Sequence, residues 1–376
     1  MKKIIQLFSI LSLVFFYSFS TKAAETHPIS KSEPVAIKVA LLLDTSNSMD
    51  GLIDQAKAQL WDIVNELSYA KYGGHNPQLS IALYEYGNDG LEASDGYIRQ
   101  VLDFGKDLDL ISEKLFSLRT NGGSEYCGQV IQDALKDLQW GTNKQDLNLI
   151  FIAGNEAFTQ GPVSYKNVTN DAKEKNISVN TIFCGDYRSG ISGKWQDAAL
   201  RTGGDYFAIN HNEEQIYIVT PYDNLIIQLN QDLNNTYIYY GSQGYQKRSM
   251  QATQDSNAAA LDEVVVVKRA VSKSSKMYNN ASWDLVDAAN NDSFNFKKIN
   301  KKSLPKSLQH KSTSELKQYV AQQAAKRSKI QEKIRQLNLK RKQFIAAKKT
   351  GNTQDNLENA IIKTIKKQAK RKHYSW

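Results

Sequence analysis

Apolar and polar positions alternate along the chain so as to divide it into short apolar runs and longer segments of helical spacing. The first run, Val39-Ala40-Leu41-Leu42-Leu43, is continuous and ends in Asp44-Thr45-Ser46-Asn47-Ser48. A run with no polar face reads as a strand covered on both sides. Leu52, Ile53, Ala56, Leu60, Ile63, Val64 and Leu67 then recur at the spacing of an amphipathic helix. The same reading predicts strands at 79–86, 98–104, 147–153, 178–184 and 206–209. It predicts helices at 108–118, 127–138, 164–175, 195–201 and 213–234. Strand and helix alternate at lengths that suit βα units. The expected fold over 35–234 is therefore α/β: a doubly wound, mostly parallel six-stranded sheet flanked by helices.

Beyond residue 234 the pattern changes twice. Residues 235–296 read as a helix-rich extension. Its Val264-Val265-Val266-Val267 run favours strand, so 261–275 stays open between the two. From Lys297 the composition turns to Lys, Gln, Asn and Ser. Leu316, Val320, Ile330, Ile334, Leu337 and Phe344 fit a heptad seam, interrupted by Gln323, Arg327 and Arg341. A second basic helix is expected at 356–372, after a break at Thr350-Gly351-Asn352. Residues 297–376 thus read as a basic, coiled-coil-like helical tail.

Charge sharpens this division. The net charge of +9 conceals a tail with 23 basic and 4 acidic residues, net +19, and a remainder from Ala24 to Phe296 at net −13. Such asymmetry points the tail towards anions: an anionic envelope surface, or the acidic part of its own or a neighbouring copy, which would give a homo-oligomer. Nucleic acid fits less well, because only Tyr319, Phe344, Tyr374 and Trp376 could stack on bases.

Residues 1–23 read as a secretory signal peptide: Lys2-Lys3, an apolar stretch from Ile4 to Phe19, and Thr21-Lys22-Ala23 before the cut. The alternative is an uncleaved membrane anchor. The expectation is an exported chain, periplasmic or secreted. An oxidising compartment permits a Cys127–Cys184 disulfide, and both residues are expected near the same edge of the sheet. The bridge is therefore favoured over two buried thiols.

The candidate chemistry sits where the first strand ends. Asp44, Ser46 and Ser48 offer a carboxylate and two hydroxyls, hard oxygen donors suited to Mg²⁺, Mn²⁺ or Ca²⁺. The competing reading makes the two serines turn and cap groups for the helix from Gly51, with Asp44 hydrogen-bonded to backbone. Here the chain resembles the von Willebrand factor type A (VWA) domains, whose hallmark is a metal-ion-dependent adhesion site (MIDAS). Asp44, Ser46 and Ser48 match the Asp-x-Ser-x-Ser element. Thr202-Gly203-Gly204-Asp205-Tyr206-Phe207 resembles the stretch that enters the last strand of such domains.

The resemblance implies two further ligand loops, and in both this sequence departs from the family pattern. Gly122-Gly123-Ser124-Glu125 places Glu125 where the family has Thr, or Ser124 if the register slips. Phe151-Ile152-Ala153-Gly154-Asn155-Glu156 places Asn155 where the family has Asp. Negative charge is thereby moved between loops, not lost. Glu125 could bind the ion in bidentate fashion, favouring Ca²⁺, or could fill the position a partner's carboxylate takes.

The resemblance further implies a non-catalytic adhesion or scaffolding module, whose ion accepts an Asp or Glu carboxylate from a protein partner. Loops 88–96, 122–128 and 187–194 would set specificity, with Tyr126, Tyr187 and Trp195 as candidate contacts. A metal-dependent hydrolase using the Asp44–Glu125 pair, or an anionic-polymer binder acting through the tail, are the alternatives.

Overall fold

In the first strand, β1 (Ala36–Asp44), successive residues serve two separate cores. Ile37, Val39 and Leu43 belong to one, and Ala40 and Leu42 to the other. This period of two explains why the run reads as wholly apolar: both faces are covered. The computed structural model describes residues 35–210, 217–348 and 357–376. The expected signal peptide at 1–23 and the expected break at 350–352 lie outside the described residues. Among the described residues no helix is long and apolar enough to cross a membrane.

The strands are β1, β2 (Gln78–Tyr86), β3 (Ile98–Gly105), β4 (Leu147–Gly154), β5 (Ile177–Cys184) and β6 (Tyr206–Ile209). They form one six-stranded sheet in the order β3-β2-β1-β4-β5-β6. All neighbours are parallel except β3, which is antiparallel to β2 at one edge. The expected doubly wound sheet is thus observed. The strand order reverses between β1 and β4, and in open α/β sheets the crevice at such a switch point is where ligands bind.

Helices cover both faces of the sheet: α1 (Asp50–Leu67), α2 (Leu108–Phe116), α3 (Cys127–Asp137) and α4 (Tyr165–Glu174). They are followed by α5 (Tyr187–Ser192), α6 (Trp195–Arg201) and α7 (Asp223–Asn234). Residues of α3, α4 and α6 share the core of Ala40 and Ile150; those of α1, α2 and α7 share the core of Val39 and Phe151. Cys184 lies in the second core and Cys127 in the first-named one. Both are buried free thiols, so the sheet separates them and the expected disulfide is not formed. Sequence reasoning placed them at the same edge but had no way to place them on opposite faces.

Two further elements differ from expectation. The helix expected from Glu213 begins at Asp223, after Pro221, and residues 213–216 lie outside the described residues. Proline disfavours helical geometry in the residue before it, and Thr220 donates through its N–H and hydroxyl to the Asp223 carboxylate at 2.9 and 2.7 Å. The Val264–Val267 run is helical, within α9 (Glu263–Lys273), which follows α8 (Gly244–Leu261). The Asp262 carboxylate accepts from Val264 N–H at 2.7 Å, and Val264, Val265 and Val267 are buried. Tertiary burial overrides the β propensity of the valines.

The remaining helices are α10 (Leu285–Ala288), α11 (Thr313–Lys348) and α12 (Leu357–Arg371). The seam of α11 is filled from within the chain. Ile330, Ile334 and Leu337 join the core of α1 and α9, while Leu316 and Val320 pack with Ile238, Leu285 and Leu304. Ile361, Ile365 and Ala369 of α12 belong to the same core as Val39. Val35–Trp376 forms one compact unit.

Ion pairs fix these elements. Arg327 contacts Asp284 at 2.6 Å and Asp287 at 2.7 Å, with its guanidinium 4.0 Å over the Tyr237 ring. Arg341 meets Asp223 at 2.9 Å. Arg269 bridges Asp109 at 2.8 Å and Asp255 at 2.5 Å, and Lys273 reaches Asp255 at 2.9 Å. The chain end then docks at the amino edge of the sheet: Lys372 donates to the Asp146 carbonyl at 2.5 Å and Tyr374 to the Ala36 carbonyl at 3.2 Å. Since Ala36 begins β1 and Asp44 ends it, this leaves the opposite edge uncovered by the chain end.

Candidate metal-binding site at the carboxyl edge of the sheet

Asp44 ends β1 fully buried, and its Oδ1 accepts from the Ser46 N–H at 2.8 Å. That bond turns the chain, so Ser46 and Ser48 follow on the same side, with their hydroxyls 3.4 Å apart. Neither hydroxyl caps the short helical turn at 47–49 or α1. By contrast, Asp107, Asp186 and Asp262 each cap their helix through side-chain bonds. The capping role proposed for the two serines is therefore not what they do here.

The other two loops converge on this turn. Asn155, just past β4, donates from Nδ2 to Ser48 Oγ at 2.9 Å. Glu125 is buried and hydrogen-bonded to the Asp44 carboxyl, while its own N–H donates to Gln160 Oε1 at 2.6 Å. Gly87, at φ +74°, makes the approach possible: a Cβ there would stand 2.7 Å from Asp44 Oδ1 and 2.8 Å from Glu125 Cγ. All five residues expected to form the site, Asp44, Ser46, Ser48, Glu125 and Asn155, are brought into one cluster. Ser124 is half-buried beside it.

The electrostatics are those of like charges forced together. Burial raises the Asp44 carboxyl above the usual carboxylate range, and its bond with Glu125 partly offsets this. Burial also raises Glu125, and the neighbouring Asp44 raises it further. Two carboxyls this close resist ionising together, so both are held above the ordinary carboxylate range. Ser46 gives the pair some relief through its hydrogen bonds, but Tyr86 donates to the Ala153 carbonyl at 2.8 Å and the buried Cys127 thiol is pushed up.

Three oxygens of the cluster are buried without a hydrogen-bond partner: Asp44 Oδ2, Glu125 Oε2 and Asn155 Oδ1. Buried polar atoms are rarely left so, and three within one cluster suit a hard cation. Among the described residues there is no group of three or more His, Cys, Asp or Glu side chains placed to hold a metal. The donor set here is of another kind, two carboxyls completed by hydroxyls and an amide oxygen, which is the chemistry of Mg²⁺ and Ca²⁺.

The fold, the switch point and the three converging loops agree with one family model: the von Willebrand factor type A domain matches residues 38–231, just over half of the chain. The chain belongs to the VWA family. Solved VWA-like structures resemble it at low identity. BatB from Bacteroides thetaiotaomicron is 16% identical, covering 46% of this chain and 90% of that one, with a TM-score of 0.36. Proximal thread matrix protein 1 from the mussel byssus, solved with zinc occupying its MIDAS motif, is 9% identical over 48% of this chain and 43% of its own, at TM-score 0.34. The pilus adhesin SpaC from Lactobacillus rhamnosus GG is 12% identical over 48% and 28%, at TM-score 0.37. No curated protein matches the chain.

The candidate contacts divide. Trp195 is core: fully buried, its indole N–H donates to the Glu156 carbonyl at 2.7 Å, and it packs edge-on to Phe158. Tyr126 is half-buried, edge-on to Tyr97. Tyr187 is exposed, but it opens helix α5, capped by Asp186, where a loop was expected. Gly87 and Gln160, which shape the Glu125 position, were missed: nothing in their sequence context marks them, since neither belongs to a ligand motif.

Proposed function

We propose that this protein is an exported, non-catalytic binding module of adhesion or scaffolding type. In this reading Asp44, Ser46, Ser48, Glu125 and Asn155 hold one divalent cation, Mg²⁺ or Ca²⁺. The observation that carries it is the set of unpartnered oxygens on Asp44, Glu125 and Asn155 around two serines that cap nothing. When bound, the ion supplies a Lewis-acidic position that a partner protein's carboxylate can take.

The chain's own residues prepare that position. The Ser46 N–H fixes Asp44 so that Oδ2 remains unpartnered. Asn155 orients Ser48, and Gln160 holds the backbone of Glu125. Glu125 must surrender the proton it shares with Asp44, so affinity for the cation rises with pH.

Titration calorimetry of the full metal-stripped chain with Mg²⁺, Mn²⁺ and Ca²⁺, alongside Asp44→Ala and Glu125→Ala, tests the reading. One site per chain, lost with Asp44 and weakened with Glu125, is expected. No binding to the parent chain would refute it. Export is tested separately: the amino-terminal sequence of the protein recovered outside the cytoplasm should begin at Ala24.

A further inference from the structure

The α11 helix carries cations both buried and exposed. Arg327 and Arg341 face inward and are buried in ion pairs with Asp284, Asp287 and Asp223. Lys326, Lys329, Lys333 and Lys340 are exposed and, among the described residues, have no ion-pair partner. Their spacings of 3, 4 and 7 residues place them on one stripe within an arc of about 60°, at roughly 100° per residue.

From first to last the stripe spans about 21 Å, at 1.5 Å rise per residue. The only acidic residues on the helix are Glu315 and Glu332. Glu315 accepts from the Ser312 N–H at 2.7 Å, and Glu332 pairs with Arg335 at 2.7 Å, so neither neutralises the row. The adjoining face is buried from Leu316 to Arg341, which holds the row in a fixed line.

We infer that the row Lys326, Lys329, Lys333 and Lys340 is a docking surface for an anionic phospholipid membrane, bound electrostatically and without insertion. The charge is complementary to lipid headgroups, and the four exposed lysines run in a line along the helix. Leu339 is the one large apolar side chain on the helix that is well exposed, so insertion is not part of the contact. Nucleic acid is the poorer fit. The row contains no aromatic residue on which bases could stack. The inference does not depend on the cation site.

The test is sedimentation of the full chain with vesicles of phosphatidylglycerol and phosphatidylcholine, against pure phosphatidylcholine, at low and high salt. Binding only to the anionic vesicles, released by salt, is expected. K326Q/K329Q/K333Q/K340Q should lose about fivefold in partitioning per lysine removed, with an unchanged melting curve. K297Q/K298Q/K301Q/K302Q removes the same charge away from the row and should keep most of the binding. Failure of the parent chain to bind anionic vesicles overturns the inference. So does equal loss in the two quadruple variants, or binding to duplex DNA but not to vesicles.

Discussion

Two buried charge clusters in this molecule use opposite strategies. Around Arg269 and Lys273, and again around Arg327, every buried carboxylate meets a cation from the same chain. There Asp255 is pushed up by burial, but Lys273 and Arg269 outweigh this and hold it below its ordinary value. At the carboxyl edge Asp44 and Glu125 meet each other, the acidic Glu156 and neutral groups, and both are raised. The first arrangement is complete and builds structure. The second carries charge that nothing in the chain compensates, which is what a site for an external cation requires.

The comparison breaks most severely if the tail is removed. Deleting 297–376 uncovers the core contacts of Ile334 and Ile365 and strands Asp284, Asp287 and Asp223 without their arginines. The shortened chain should lose cooperative unfolding in urea; a normal transition would show that the extension is merely appended. Arg327→Ala alone should cost about 3–5 kcal/mol, because it leaves buried carboxylates unpaired, as read from the urea midpoint.

Asp44→Asn should act in the reverse direction. In the metal-free chain it removes one of two opposed carboxyls, and a gain in stability is expected, alongside loss of any cation response. The two clusters also separate by pH. Asp44 and Glu125 have raised folded-state values, so their contribution is present below the usual carboxylate range of about 4 and is lost as pH rises through neutrality. Asp255 is lowered, so its contribution is present above that range and is lost as pH falls through its folded value. Metal-free stability measured from pH 4 to 8 should therefore decline in the parent chain and less steeply in Asp44→Asn. The smallest effect belongs to Ser48→Ala, which removes the acceptor for Asn155 Nδ2 at a cost of about 0.5–1.5 kcal/mol, read from the same urea curves.

The strands were legible because β1 and β4 are covered on both faces, and continuous apolar runs say so. The switch-point cluster was legible through Asp44, Ser46 and Ser48, with Glu125 and Asn155 reached by loop register. What escaped depended on tertiary partners. Arg327 and Arg341 read as interruptions of a seam, yet they are its anchors, because Asp284, Asp287 and Asp223 lie distant in sequence. The valines of α9 looked like a strand until burial decided otherwise. Cys127 and Cys184 could be assigned an edge but not a face, and the face excluded their bridge.

The most direct test is the urea unfolding of the metal-stripped full chain, with and without Ca²⁺ or Mg²⁺, for the parent and for Asp44→Asn. If the carboxyl-edge cluster awaits a cation, the ion at a hundredfold excess over its dissociation constant stabilises the parent by about 2.7 kcal/mol and leaves the variant unmoved. An unmoved parent, or equal shifts in both chains, would mean that the unpaired oxygens of Asp44, Glu125 and Asn155 hold no ion.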